Sequence, residues 1–90
     1  MSYSVVFTPS AEAEVLALPP GAGKVLLEHI TRLAADPVEL SEPGESAFEG
    51  SQTYPCWGRD GDDRWRFTIV FAYSSDEQSI VITAVDAVKL

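Results

Sequence analysis

A chain of 90 residues is enough for one small domain and leaves no room for a second. Its 46% hydrophobic residues and two tryptophans can build one core, which excludes a chain that is disordered throughout. The formal net charge of -8 favours solubility and opposes long-range attraction to nucleic acid, because phosphates repel an acidic protein.

The first predicted element is a β-strand over residues 3–7, a run rich in aromatic and β-branched side chains. Thr8 is predicted to cap a first helix. Pro9 suits the first helical position, because proline has no N–H to leave unpaired there. The Pro-Pro-Gly sequence at 19–21 ends this helix, since proline cannot continue it.

A second helix is predicted over residues 22–35 from apolar side chains that recur on one side, namely Ala22, Val25, Leu26, Ile30 and Leu33. The short connection between the two helices predicts that they pack as a hairpin. Asp36 and Pro37 end the second helix, because the residue before proline avoids helical geometry. Residues 37–51 carry glutamates without periodicity, which predicts a mobile loop.

Three strands are predicted over residues 52–58, 64–73 and 79–86, separated by polar turn residues that indicate two hairpins. The order of elements is therefore β-α-α-β-β-β. We expect an α+β fold in which a helical hairpin packs on one face of a mostly antiparallel, four-stranded sheet. Residues 1–90 form this single domain.

Half of the positive charge lies in one hairpin, the predicted pair of strands on either side of residue 61. Alternation along its second strand gives one apolar face, which consists of Trp65, Phe67, Ile69 and Phe71. Arg64 and Arg66 must then project from the other face. An even number of turn residues places Trp57 and Arg59 beside them, whereas a three-residue turn would place Trp57 and Arg59 in the core.

Two interpretations of these arginines stay open. Guanidinium groups around an indole ring form a surface that can hold a phosphate or an unstacked base. Alternatively, Arg59 and Arg64 form ion pairs with the turn aspartates Asp60, Asp62 and Asp63, while Arg66 covers Trp57. Exposed ion pairs of this kind contribute only about 0–1 kcal/mol.

The last predicted strand is apolar on both faces. Ile80, Ile82 and Ala84 suit the core side, and Val81 and Val85 suit the arginine side. Exposed apolar side chains next to charges indicate a surface for a protein partner. The alternative is that the tail, residues 87–90, folds back over them.

Other reactive residues have simple structural interpretations. His29 lies at the margin of a helix stripe, and a single histidine with one distant cysteine does not indicate a metal site. Cys56 is predicted to be a small buried hydrophobic residue. The aspartates around Gly61 resemble the start of a calcium loop, but Arg64 stands where a ligand would be needed, so a hairpin turn is expected. We expect neither a metal nor another cofactor.

The chain resembles the RelE/ParE superfamily of bacterial type II toxins. The resemblance rests on three segments in order: YSVVFTPSAEAEVLAL at the start, ITRLAADP at the end of the second helix, and RWRFTIVFAYSSDEQSIVITAVDAV at the end. It implies a sheet that carries the active surface and an antitoxin that holds the toxin inactive. RelE-like members cut messenger RNA on the ribosome, whereas ParE-like members act on DNA gyrase.

The resemblance assigns the family's sheet arginine to Arg66, with Trp65 in the aromatic place before it. The lysines of RelE-like enzymes fall near Pro55 and Trp57, and the later basic residue falls near Ala87 or Val88. No tyrosine matches the C-terminal tyrosine of these enzymes. Arg66 and Arg64 are thus the candidate catalytic residues, with only Tyr54 or Tyr73 as proton donors.

These observations predict a RelE/ParE-like toxin that is not a conventional RelE-type mRNA endonuclease. Arg59, Trp57, Val81 and Val85 are its candidate binding residues, and an antitoxin protein is its expected partner. The target is either the ribosome with its messenger RNA or DNA gyrase, and any enzymatic activity would be ribosome-dependent RNA cleavage. The alternative is a non-toxic interaction module on the same fold. With one cysteine and no apolar run of ~18 residues, we expect a cytoplasmic protein without a membrane segment.

Overall fold

The computed structural model describes residues 3–40, 42–43, 51–75 and 78–90. The elements in chain order are β1 Ser4–Phe7, α1 Pro9–Leu16, α2 Pro20–Ala35, α3 Pro37–Leu40, β2 Glu42–Pro43, β3 Gln52–Asp60, β4 Asp63–Tyr73 and β5 Ser79–Lys89.

The described strands form one sheet in the order β1-β5-β4-β3-β2. β1 pairs with β5 in parallel, and the remaining neighbours are antiparallel. The predicted α+β architecture is confirmed, with four main strands and the two-residue β2 added beside β3. The chain returns from β1 through the helices before the meander of β3, β4 and β5 begins.

The start of α1 follows the predicted chemistry. Thr8 has extended backbone angles and its hydroxyl accepts a hydrogen bond from the Ala11 N–H at 3.3 Å, while Pro9 begins the helix. α1 packs against β5, and α2 packs against β3 on the same side of the sheet. Among the described helices, none has the combined length and hydrophobicity of a membrane-spanning segment.

The prediction of a loop over residues 37–51 is wrong for the first part of this segment, where the structure has α3 and β2. Pro37 begins α3 and its side chain is fully buried, so packing orders a segment that has no sequence periodicity. Residues 41 and 44–50 of this predicted loop lie outside the described residues.

The core lies between the helices and one face of the sheet. Its largest fully buried side chains are Phe67, Phe71, Leu26, Leu33, Ile69, Ile80, Ile82 and Pro37. Along β4, the odd-numbered residues from Trp65 to Phe71 are buried and the residues between them are not, as the predicted alternation requires. The opposite face of the sheet carries none of the buried core residues of the described chain. We call it the open face.

The hairpin between β3 and β4 closes with two residues, Gly61 and Asp62. Gly61 has φ 62°, the left-handed conformation that two-residue hairpin turns favour. The turn sets Asp60 opposite Asp63 and Trp57 opposite Arg66. The turn is Gly61-Asp62, whereas the sequence suggested Asp60-Gly61 or residues 60–63; its even number of residues confirms the predicted face of Trp57 and Arg59.

A bulge in β5 changes which of its residues reach the core. Val70 pairs with Ala84 but Phe71 pairs with Ile82, so Thr83 is an extra residue in the ladder. Residues after Thr83 therefore exchange faces. The prediction that Ala84 faces the core and Val85 faces the arginines is wrong, because Val85 is 4% exposed within the core.

Candidate functional site

The hairpin brings the predicted site residues together on the open face. Arg59 lies directly opposite Arg64, and Trp57 lies directly opposite Arg66. All four side chains are exposed, with 59% of Trp57 accessible to solvent. We call Arg59, Arg64, Arg66 and Trp57 the arginine cluster. This end of the open face therefore carries three cationic side chains.

The pleat of the hairpin explains why its aspartates do not neutralise these arginines. Asp60 and Asp63 pair with each other and share the helix side of the sheet with Trp65. Asp63 Oδ1 lies 3.5 Å from Lys89 Nζ. The Asp60 carboxyl occupies the space next to Gly21, at the start of α2.

No ion pair joins the arginine cluster to a carboxylate in residues 3–40, 42–43, 51–75 and 78–90. The alternative interpretation, in which Arg59 and Arg64 form ion pairs with the turn aspartates, is therefore contradicted for the described residues. Of the two interpretations of the cluster, an anion-binding surface is the one that the geometry favours.

A concave surface of about 370 Å³ adjoins the cluster at the end of the sheet. It is lined by Trp57, Gly58, Arg59, Arg64, Trp65 and Leu90. Trp65 stacks on Phe67 with parallel rings and a centroid separation of 6.1 Å. The Trp65 Nε1–H is buried and has no hydrogen-bond partner among the described residues. The concavity thus combines two indole rings with two guanidinium groups that form no ion pair within the described part of the chain.

The other end of the open face is apolar. Val81 of β5 pairs with Val6 on one side and with Ala72 on the other, and Val70 pairs with Ala84 in the next row. Val6 is 48% exposed. Val81 lies on the open face as predicted, whereas the predicted binding residue Val85 is buried in the core and cannot contact a partner. The tail does not cover this surface, because residues up to Lys89 continue β5.

A larger concave surface, about 540 Å³, lies between α1 and α2 on the far side of the molecule. Its lining is mostly aliphatic and includes Leu16 and Leu27, with Lys24 and Glu28 as charged residues. It brings no cluster of cations or reactive groups together, so the arginine cluster remains the candidate site.

Comparison with known structures gives matches over nearly the whole chain. A chain of the toxin-antitoxin complex RelBE2 from Mycobacterium tuberculosis aligns with 96% of this chain and 98% of its own length, with a TM-score of 0.74. This chain shares the fold of that chain. The identity is 22%, so the likeness establishes the fold and nothing finer. No protein-family model matches the sequence, and no curated protein matches it.

Two tyrosines that were candidate proton donors lie away from the arginine cluster. Tyr54 is buried on the helix side of the sheet, and Tyr73 contacts Tyr3 and Phe71 on that same side. Burial, followed by the nearby Cys56, raises the pKa of Tyr54, although Arg32 opposes the rise. The sheet itself separates both candidate proton donors from Arg64 and Arg66.

The structure shows that His29, which the sequence did not connect with the site, holds the strand that carries Trp57. His29 Nε2 lies 2.9 Å from the Trp57 carbonyl oxygen, and because a carbonyl only accepts, Nε2 carries the proton. Its Nδ1 is buried without a partner in the described chain. The ring lies 6.5 Å from those of Tyr54 and Phe67. Helix α2 thus holds the strand that carries Trp57, a contact that the helical position of His29 alone did not reveal.

Cys56 behaves as predicted, as a small buried side chain in the core. Burial raises the pKa of its thiol to about 11, with a smaller opposing effect of Arg32. A thiol in this state is protonated at neutral pH and is a poor nucleophile. In the part of the chain that the structure describes, no three His, Cys, Asp or Glu side chains come together to hold a metal ion.

Proposed function

We propose that this protein is the toxin component of a RelE/ParE-like type II toxin-antitoxin pair, and that it acts by binding through the open face. The observation that carries the proposal is an arginine cluster without a carboxylate partner among the described residues, on a fold shared with a chain of a toxin-antitoxin complex. Its partner is an antitoxin protein, and the cytoplasm is the compartment in which the pair acts.

Several features support action by binding and oppose conventional RelE-type RNA cleavage. Phosphoryl transfer needs groups that stabilise charge and groups that move protons. Arg64 and Arg66 meet the first need, but Tyr54 and Tyr73 lie across the sheet from them. The positions that resemble the lysines of RelE-like enzymes hold apolar or aromatic residues.

The first test is expression of the chain alone in a bacterial host. We expect growth arrest, relieved by co-expression of the adjacent small reading frame if it encodes the antitoxin. Arg66→Ala should weaken the arrest without unfolding the protein, because Arg66 is exposed. Lys24→Ala, which removes an exposed positive charge from α2, is the matched control and should leave the arrest unchanged. Harmless expression of the wild-type chain would refute toxicity.

A non-toxic interaction module on the same fold is the second candidate, and the net charge of -8 favours it. It predicts a stable complex with a protein partner and no growth arrest. An assay of messenger RNA cleavage on the ribosome distinguishes these two candidates, a binding toxin and a non-toxic module, from a nuclease with unusual residues. Cleavage of messenger RNA that is lost in the double variant Arg64→Ala with Arg66→Ala would show that the protein is a nuclease.

A further inference from the structure

The open face changes from apolar to cationic along the strands. Paired residues form rows across the sheet, and the row at one end contains Val6, Val81 and Ala72. The row at the other end contains Arg64 and Arg59. Residues 72 to 64 of β4 span about 27 Å at ~3.4 Å per residue. A single partner segment can therefore contact both ends.

Electrostatic repulsion between arginines destabilises the cationic end of the open face when no partner is bound. Like charges directly opposite each other on neighbouring strands destabilise a sheet, and Arg59 faces Arg64 in this way. Among the described side chains of the sheet, Asp86 is the carboxylate on the open face, and it forms no ion pair with the cluster. An anion from outside the chain would remove this repulsion, and a carboxylate matches the planar fork of a guanidinium group.

The apolar side chains at the other end of the open face determine which class of anionic partner fits it best. A nucleic-acid strand would satisfy the arginines, but its phosphate backbone has nothing to bury against Val6, Val81 and Ala72. A polynucleotide also carries a charge at every phosphate, so the net charge of -8 repels it more strongly than a protein segment with only a few carboxylates. A protein segment can combine a few carboxylates with aliphatic side chains.

We propose that the open face binds an acidic, leucine- or valine-rich protein segment, with its carboxylates between Arg59 and Arg64 and its aliphatic side chains on Val6 and Val81. The antitoxin would supply this segment, so the inference rests on the proposed function and adds the chemistry by which the partner is recognised. Two features on one face support the proposal: guanidinium groups without an ion pair among the described residues, and the exposed Val6 beside the half-buried Val81.

The test uses purified protein and a labelled amphipathic peptide of about 18 residues, since a helix rises 1.5 Å per residue and this length covers the face. Leucines occupy one side of the peptide and glutamates occupy the positions next to them. One control peptide replaces every glutamate by lysine, and another replaces every leucine by serine. A single-stranded RNA of matched length is the fourth probe. Fluorescence anisotropy measures each dissociation constant.

We expect the glutamate-leucine peptide to bind most tightly and to weaken as salt is added, because salt screens the charges. The double variant Arg59→Gln with Arg64→Gln should weaken its binding by at least about tenfold, as the loss of charge-assisted hydrogen bonds predicts. Val6→Ser should weaken it about fivefold through lost apolar burial. Lys24→Gln and Leu27→Ser are the matched controls, because each is exposed and lies on a helix.

Tighter binding of the RNA than of the peptide would overturn the inference in favour of a nucleic-acid surface. Equal binding of the serine and leucine peptides would also overturn it, since the valines would then have no part. Loss of binding in the helix controls equal to that in Val6→Ser would place the peptide elsewhere. None of these outcomes depends on toxicity, and harmless expression in cells would leave the peptide result unchanged.

Discussion

Replacing Gly58 by alanine adds one methyl group between β3 and α2 and so tests how closely the helix packs on the sheet. Gly58 is on the helix side of β3, and a Cβ atom there would overlap Val25 Cγ1 of α2 and approach His29 Nε2 to 3.5 Å. Carbon atoms in contact normally sit roughly 3.5–4.0 Å apart. Gly58→Ala must therefore move either Val25 or the whole helix.

The free-energy cost of Gly58→Ala depends on how easily the Val25 side chain can move. Val25 is β-branched and strongly prefers one χ1 rotamer in a helix, so it cannot turn aside cheaply. Overpacking of a tight core contact costs about 1–3 kcal/mol. Replacing glycine in a strand returns about 0.5–1 kcal/mol of conformational entropy. We expect a net destabilisation of about 1–2 kcal/mol, and a melting temperature lower by roughly 4–8 °C for each kcal/mol.

Urea denaturation followed by circular dichroism measures this change, and Gly23→Ala is the matched control. Gly23 lies within α2 and an added Cβ meets nothing within 4 Å, so alanine should stabilise the helix by about 0.5–1 kcal/mol. In a Val25→Ala background the cost of Gly58→Ala should largely disappear, because the clashing methyl group is gone. If Gly58→Ala is as stable as the wild-type protein, the packing of α2 on β3 described above is wrong.

Two further predictions concern buried residues. The neutral Cys56 thiol stabilises the fold fully below pH 9, and this contribution is lost as the pH rises towards its pKa of about 11. The stability difference between wild type and Cys56→Ala should therefore shift by about 2 kcal/mol by pH 11 in denaturation curves, and a constant difference would contradict it. Val85→Thr should cost about 1–3 kcal/mol by burying a hydroxyl group, whereas Val81→Thr on the open face should cost less than about 0.5 kcal/mol. Equal costs would mean that the bulge at Thr83 does not exist.

Local chemistry in the sequence was enough to predict most of the elements. Thr8 and Pro9 begin α1 because a hydroxyl caps free N–H groups, and proline loses no hydrogen bond at that position. The residues at the β3–β4 turn and the alternation along β4 placed Trp57 and Arg66 on one face. The sequence placed Asp60 and Asp63 in the turn and left open whether they pair with the arginines, and the register of the folded hairpin decided this.

The tertiary structure decided what depends on contacts between distant segments. The bulge at Thr83 arises from pairing with β4. No local pattern in the sequence of β5 predicts that Val85 lies in the core. The hydrogen bond from His29 to Trp57 joins residues 28 positions apart, and α3 is ordered by the burial of Pro37. Sequence determines backbone preferences and the alternation of side chains, because both act over a few residues. Register shifts and helix–strand contacts depend on the whole packed core, and only the folded chain settles them.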